Sequence, residues 1–104
     1  MFVLKQSPTY KWPVSFALPS DGKLQDHTIT VEFKRYTNDE LVALTNDPEI
    51  TDIKIAKASV VGWDGVDTPF SPEALAELLQ QTPVPTAIVL ALLDSAQGSA
   101  KRKN

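Results

Sequence analysis

Side chains able to do chemistry are sparse in this chain and badly arranged for it. The single histidine, His27, falls in register with Ile29, Val31 and Phe33 near the start of an alternating run, with no partner at a fixed spacing to make it an acid, a base or a ligand. The carboxylates Asp39, Glu40, Asp47, Glu49 and Asp52 lack the D-x-[DN]-x-[DN]-G order of a calcium loop and read as caps and solvated faces. Asp64-Gly65-Val66-Asp67 offers too few oxygen ligands and reads as a turn, and no Lys-Ser/Thr follows Gly62 or Gly65 to make a phosphate loop. With no cysteine there is no thiolate metal site, disulfide or cysteine nucleophile. The residues therefore predict no catalytic site, cofactor site or metal site.

Bulk properties narrow the classes further. The 104 residues predict a single domain over 1–104, too small to hold both a deep catalytic cleft and an adequate core. Thirteen acidic against ten basic side chains give a net charge of -3, which argues against nucleic-acid binding by bulk electrostatics. The nearly unbroken apolar run Ala87 to Leu93 is far shorter than the roughly 20 residues a membrane span needs. The Met1-Phe2-Val3-Leu4-Lys5 start does not read as an export signal, so the expectation is a protein that stays where it is made.

The elements that would position any binding surface are legible in outline. Val14, Phe16 and Leu18 alternate with smaller residues, as Ile29, Val31 and Phe33 do with polar ones, and Pro19-Ser20-Asp21-Gly22-Lys23 lies between them. That pattern predicts a β-hairpin within 1–36. A helical region over 37–98 follows. Thr37 and Glu40 have capping-box spacing ahead of Leu41, Val42 and Leu44, and Asn46-Asp47-Pro48 ends that helix. Glu49 to Val61 fits both periodicities and is read as helix. Gly62-Trp63-Asp64-Gly65 interrupts it, and Ser71-Pro72-Glu73 opens a third helix with Leu75, Leu78 and Leu79 as its stripe. Thr82-Pro83-Val84-Pro85 breaks that helix, and a last one begins near Thr86. The fold class expected is α+β, an N-terminal antiparallel hairpin packed against about four short helices, with residues 99–104 a basic tail.

Two features stand out as binding candidates. Trp63, between Gly62 and Gly65, is either a structural lock packed over a helix junction or an exposed anchor for a partner. The last helix is apolar around nearly its whole circumference, which a two-stranded hairpin is too small to bury. Either it is a central helix surrounded by the others, or part of it meets another chain. On the second reading Val89, Leu90 and Leu93 would support self-association or partner capture, with Lys101, Arg102 and Lys103 assisting.

The order of these pieces resembles the tail assembly chaperones of long-tailed bacteriophages and prophages almost end to end. The resemblance runs through Trp12-Pro13-Val14, Pro19-Ser20-Asp21-Gly22, Phe33-Lys34-Arg35, Asp39-Glu40-Leu41, Gly62-Trp63-Asp64-Gly65-Val66, Pro69-Phe70-Ser71-Pro72-Glu73-Ala74-Leu75 and Lys103-Asn104. The Gly-Trp-x-Gly-Val element with the following Pro-Phe-Ser and leucine helix is the most specific part. The resemblance implies a non-catalytic protein of the host bacterial cytoplasm, absent from the mature virion. It would bind the tail tape measure protein while tail tube protein polymerises around it, and would act as a homo-oligomer. The family often makes a frameshift-extended second product, and it has no catalytic motif to carry over. Two other readings are a tail-completion or connector subunit retained in the virion and a prophage regulatory binding protein.

Overall fold

The computed structural model describes residues 1–98. Its first two strands, β1 (Thr9–Ser20) and β2 (Lys23–Lys34), form an antiparallel hairpin closed by Asp21 and Gly22. Both turn residues have positive φ, 50° and 82°, the two-residue turn whose twist matches the strands. Alternation along β1 and β2 separates two faces. Val14, Ile29, Val31 and Phe33 are buried on one of them. The other is polar, with Thr9 Oγ1 donating to Glu32 Oε2 (2.6 Å), Ser15 and Thr28 hydroxyls paired at 2.9 Å, and Lys11 Nζ 3.2 Å from Asp64 Oδ2. The far half of the hairpin extends past the core, and Lys23 to Thr28 are all exposed.

Four helices cover the apolar face: α1 (Asn38–Thr45), α2 (Asp52–Ser59), α3 (Pro72–Leu78) and α4 (Val84–Gln97). The α+β class, N-terminal hairpin and helix number agree with the sequence reading. The Thr37–Glu40 capping box forms, with Glu40 N–H donating to Thr37 Oγ1 (3.1 Å) and Thr37 N–H donating to Glu40 Oε1 (2.9 Å). Thr51 caps α2 and Ser71 caps α3 in the same one-sided way. Helix α1 buries no residue fully, and Val42, expected on its inner face, is exposed.

The sequence reading needs two corrections here. The middle helix stops at Ser59, and Val60–Asp64 is a third strand, β3, on the far side of β2, giving the order β1-β2-β3. Gly62 is therefore a strand residue and not a point of chain reversal. It lies opposite Glu32, beside a bulge that sets Val61 outside the ladder. A Cβ there would lie 3.0 Å from Glu32 Oε1, so the glycine leaves room for the carboxylate that Thr9 holds. The second correction is that α4 begins at Val84, with Pro83 as its N-cap and Pro85 inside its first turn. The first four amides of a helix have no intrahelical acceptor, so proline costs nothing there, and the first bond runs from Ala87 N–H to Pro83 O (3.1 Å).

Helix α4 packs on β1 and α2, across the sheet from β3. Ile88, Val89 and Leu92 lie in one core cluster with Val14, Ile29, Val31 and Phe33 of the sheet, Ile55 and Ala56 of α2, and Leu75 and Leu79 at α3. At about 1.5–3 kcal/mol per buried aliphatic side chain, this shared cluster is the main stabilising term. The expectation that a two-stranded sheet leaves too little cover for α4 fails in its premise. What stays uncovered is one strip of the helix, which includes Leu90.

Candidate functional site

The uncovered strip of α4 lies alongside the free edge of β1. Helix and strand run in opposite directions, and a contact near each end of the helix holds it in place. At one end the Tyr10 and Ser95 hydroxyls are 2.7 Å apart, under an Arg35 guanidinium 4.8 Å from the Tyr10 ring. At the other end Thr86 Oγ1 donates to Asp52 Oδ2 (3.1 Å), tying the start of α4 to α2. Between these ends the helix and the strand edge diverge into an open groove of about 540 Å³. Its floor and walls are Trp12, Pro13, Ser15 and Phe16 from β1 and Pro83, Thr86, Ala87, Leu90, Ala91 and Asp94 from α4.

The groove is apolar in its middle and charged only at Asp94 on its rim. Leu90 is 58% exposed and Trp12 is 39% exposed, large apolar surfaces that the rest of the described chain leaves open to water. The small side chains of Ala87 and Ala91 leave the space that gives the groove its depth. Such a surface can hold an apolar side chain or segment by desolvation.

Of the residues expected to make a contact face, only Leu90 reaches this groove. Val89 is 8% exposed and belongs to the core, and Leu93 is half-buried against that core outside the groove lining. Lys101, Arg102 and Lys103 lie outside the described residues. Trp12, Pro13 and Phe16 were not singled out as contact residues, yet a signal was present. A proline inside a strand marks an edge strand, because it has no N–H to give a neighbour.

Trp63 is half-buried on the helix-facing side of β3. Its Nε1–H donates to Thr68 O (2.8 Å), and its ring meets Phe70 edge-on at 5.2 Å between centroids. The indole thus closes the loop between β3 and α3. Gly65, with φ of 87°, turns the chain into that loop beside Ile29. His27 is exposed and stacks on Phe16 at 5.9 Å. Among the described residues no group of three His, Asp or Glu side chains is placed to hold a metal, and no helix is long and apolar enough to cross a membrane.

The chain is a small α+β unit with an open apolar groove between β1 and α4. The family pattern of the phage tail assembly chaperones matches residues 1–104, the whole chain, and the protein belongs to that family. No curated protein and no solved structure gives a significant match.

Proposed function

We propose that this tail assembly chaperone is a non-catalytic, single-domain protein that binds the tail tape measure protein, keeps it soluble and helps tail tube protein assemble around it. It would act as a homo-oligomer in the host bacterial cytoplasm and be left out of the mature virion. The observation that carries this reading is the β1–α4 groove, which brings the exposed side chains of Leu90 and Trp12 together on one apolar surface.

A groove of this size takes one or two apolar side chains, each contributing about 1.5–3 kcal/mol when fully buried. That alone gives an affinity near the millimolar range, about -4 kcal/mol. Several copies can bind along one long client, each through a weak contact that releases quickly. Weak, repeated contacts suit a chaperone that must let go as the tube grows. Leu93 and the basic residues Lys101, Arg102 and Lys103 would assist the contact.

Co-expression with the tape measure protein tests the reading. The expected result is a soluble complex in which the tape measure protein is protected. A tape measure protein that stays insoluble in the presence of the folded chain removes it.

A further inference from the structure

The free edge of β1 is shaped as well as exposed. Arg35 N–H donates to Pro8 O (2.9 Å) at the base of the hairpin, and the register pairs each residue of β1 with one of β2. Even-numbered residues of β1 therefore turn their main-chain groups toward β2, and odd-numbered ones turn them outward. Pro13 and Pro19 both sit at outward positions, where the missing N–H costs the hairpin nothing and denies a donor to any strand approaching from outside. Between them, Ser15 and Ala17 keep outward N–H and C=O groups, and Ser15 lies on the groove. The result is a short window of pairing capacity bounded by two prolines and floored by Trp12, Phe16 and Leu90.

The same chain carries a segment that fits this window. Met1, Phe2, Val3 and Leu4 lie off the core ahead of a bend at Leu4–Lys5, with Phe2 75% and Leu4 86% exposed. They contain no proline, and Phe2 and Val3 favour strands. Their own groove is at the wrong end. Arg35 Nε donates to Ser7 O (2.7 Å), and Pro8 is held in the hairpin ladder, so the segment leaves past Tyr10 and away from Phe16.

We infer that Met1–Leu4 of one copy adds as a fourth strand to the β1 edge of a second copy, with Phe2 and Leu4 seated in the β1–α4 groove. The inference rests on reading that groove as a contact surface and names one occupant for it. The two-residue strand period puts Phe2 and Leu4 on one face, toward Trp12, Phe16 and Leu90. Lys5 follows directly, and among the described residues Asp94 is the only charge on the groove rim. Pairing the two charges makes the added strand antiparallel to β1, since Asp94 lies near the Trp12 end. An extended occupant can use the open groups of Ser15 and Ala17, whereas a helix has already satisfied its own. Segment and groove are different surfaces of one copy, so the contact is head-to-tail and propagates into rings or open chains. Four residues bury less than a stable dimer needs, so the association is reversible and concentration-dependent.

The test is sedimentation over a wide concentration range with two variants of the full chain. Phe2→Asp with Leu4→Asp spoils the segment, and Leu90→Asp spoils the groove. All three sites are exposed, and thermal unfolding matched to the parent shows that each variant folds. The parent chain is expected to gain mass with concentration, while each variant alone needs about tenfold or more higher concentration to associate. An equimolar mixture is expected to form one species of twice the monomer mass and nothing larger, because one sound segment meets one sound groove. A parent that stays monomeric, a segment variant that associates like the parent, or a mixture that stays monomeric overturns the inference. Tape measure solubility measured with the segment variant separates the two readings. Retained solubility with lost self-association leaves the functional reading standing. A 1:1 mixed dimer with no solubility from any form removes that reading and leaves strand exchange in place.

Discussion

Val89 and Leu90 are adjacent on α4 and meet opposite surroundings, one in the core and the other on the groove. Substitution should separate them. Ile88→Ala, beside Val89 in the same cluster, is expected to cost about 2–5 kcal/mol in denaturant unfolding, because it deletes buried methyl groups and leaves a cavity. Leu90→Ala removes a side chain already largely in water and should cost less than about 1 kcal/mol. A second pair lies at the end of α2, where the fully buried Ser59 hydroxyl is 2.9 Å from the Tyr36 hydroxyl. Tyr36→Phe takes away that partner and should destabilise by about 1–3 kcal/mol. Adding Ser59→Ala to Tyr36→Phe should recover part of the loss, and a double-mutant cycle on unfolding free energies reads the coupling directly.

At the scale of elements, caps and turns were the most legible features because their chemistry is local. Thr37 and Ser71 each start a helix through their own side chains, and Asp21-Gly22 closes the hairpin without help from the core, whereas the Thr51 cap of α2 was not singled out. The third strand was not legible. Val60-Val61-Gly62-Trp63-Asp64 contains a glycine and a bulge, which hide the two-residue period, and its pairing with β2 is set by residues some thirty positions earlier. The groove was half legible for a related reason. Leu90 was named together with Val89 and Leu93, but which side of that helix stays wet depends on how it packs on β1 and α2, contacts that join residues far apart in the chain.

The Glu40 carboxylate is held below its ordinary range, first by the Thr37 backbone N–H and then by the Thr37 side chain. A lowered folded-state pKa contributes stability that is complete above the unfolded value, near 4.5, and lost as pH falls through the folded one. Protection factors of the α1 amides, corrected for the intrinsic exchange rate at each pH, should therefore fall below that pH, and Glu40→Gln should remove most of this pH dependence. At the β3–α3 loop, Gly65→Ala places a side chain at φ of 87° and should destabilise by about 1–3 kcal/mol, read from the thermal midpoint.

Across the whole molecule, the polar face of the sheet is tied down by Thr9–Glu32, Ser15–Thr28 and Lys11–Asp64, while the half of the hairpin that the helices cover is buried on its other face except along the β1 edge. Assembly and client capture would compete for the same groove, so a rising concentration of client should dissolve the chaperone's own oligomers. The most direct measurement is the soluble fraction of tape measure protein co-expressed with the parent chain and with Leu90→Asp, alongside the thermal midpoint of each chaperone. The account predicts high solubility with the parent and a loss of most of it with the variant, at an unchanged midpoint. Equal solubility with both, from equally stable proteins, would contradict it.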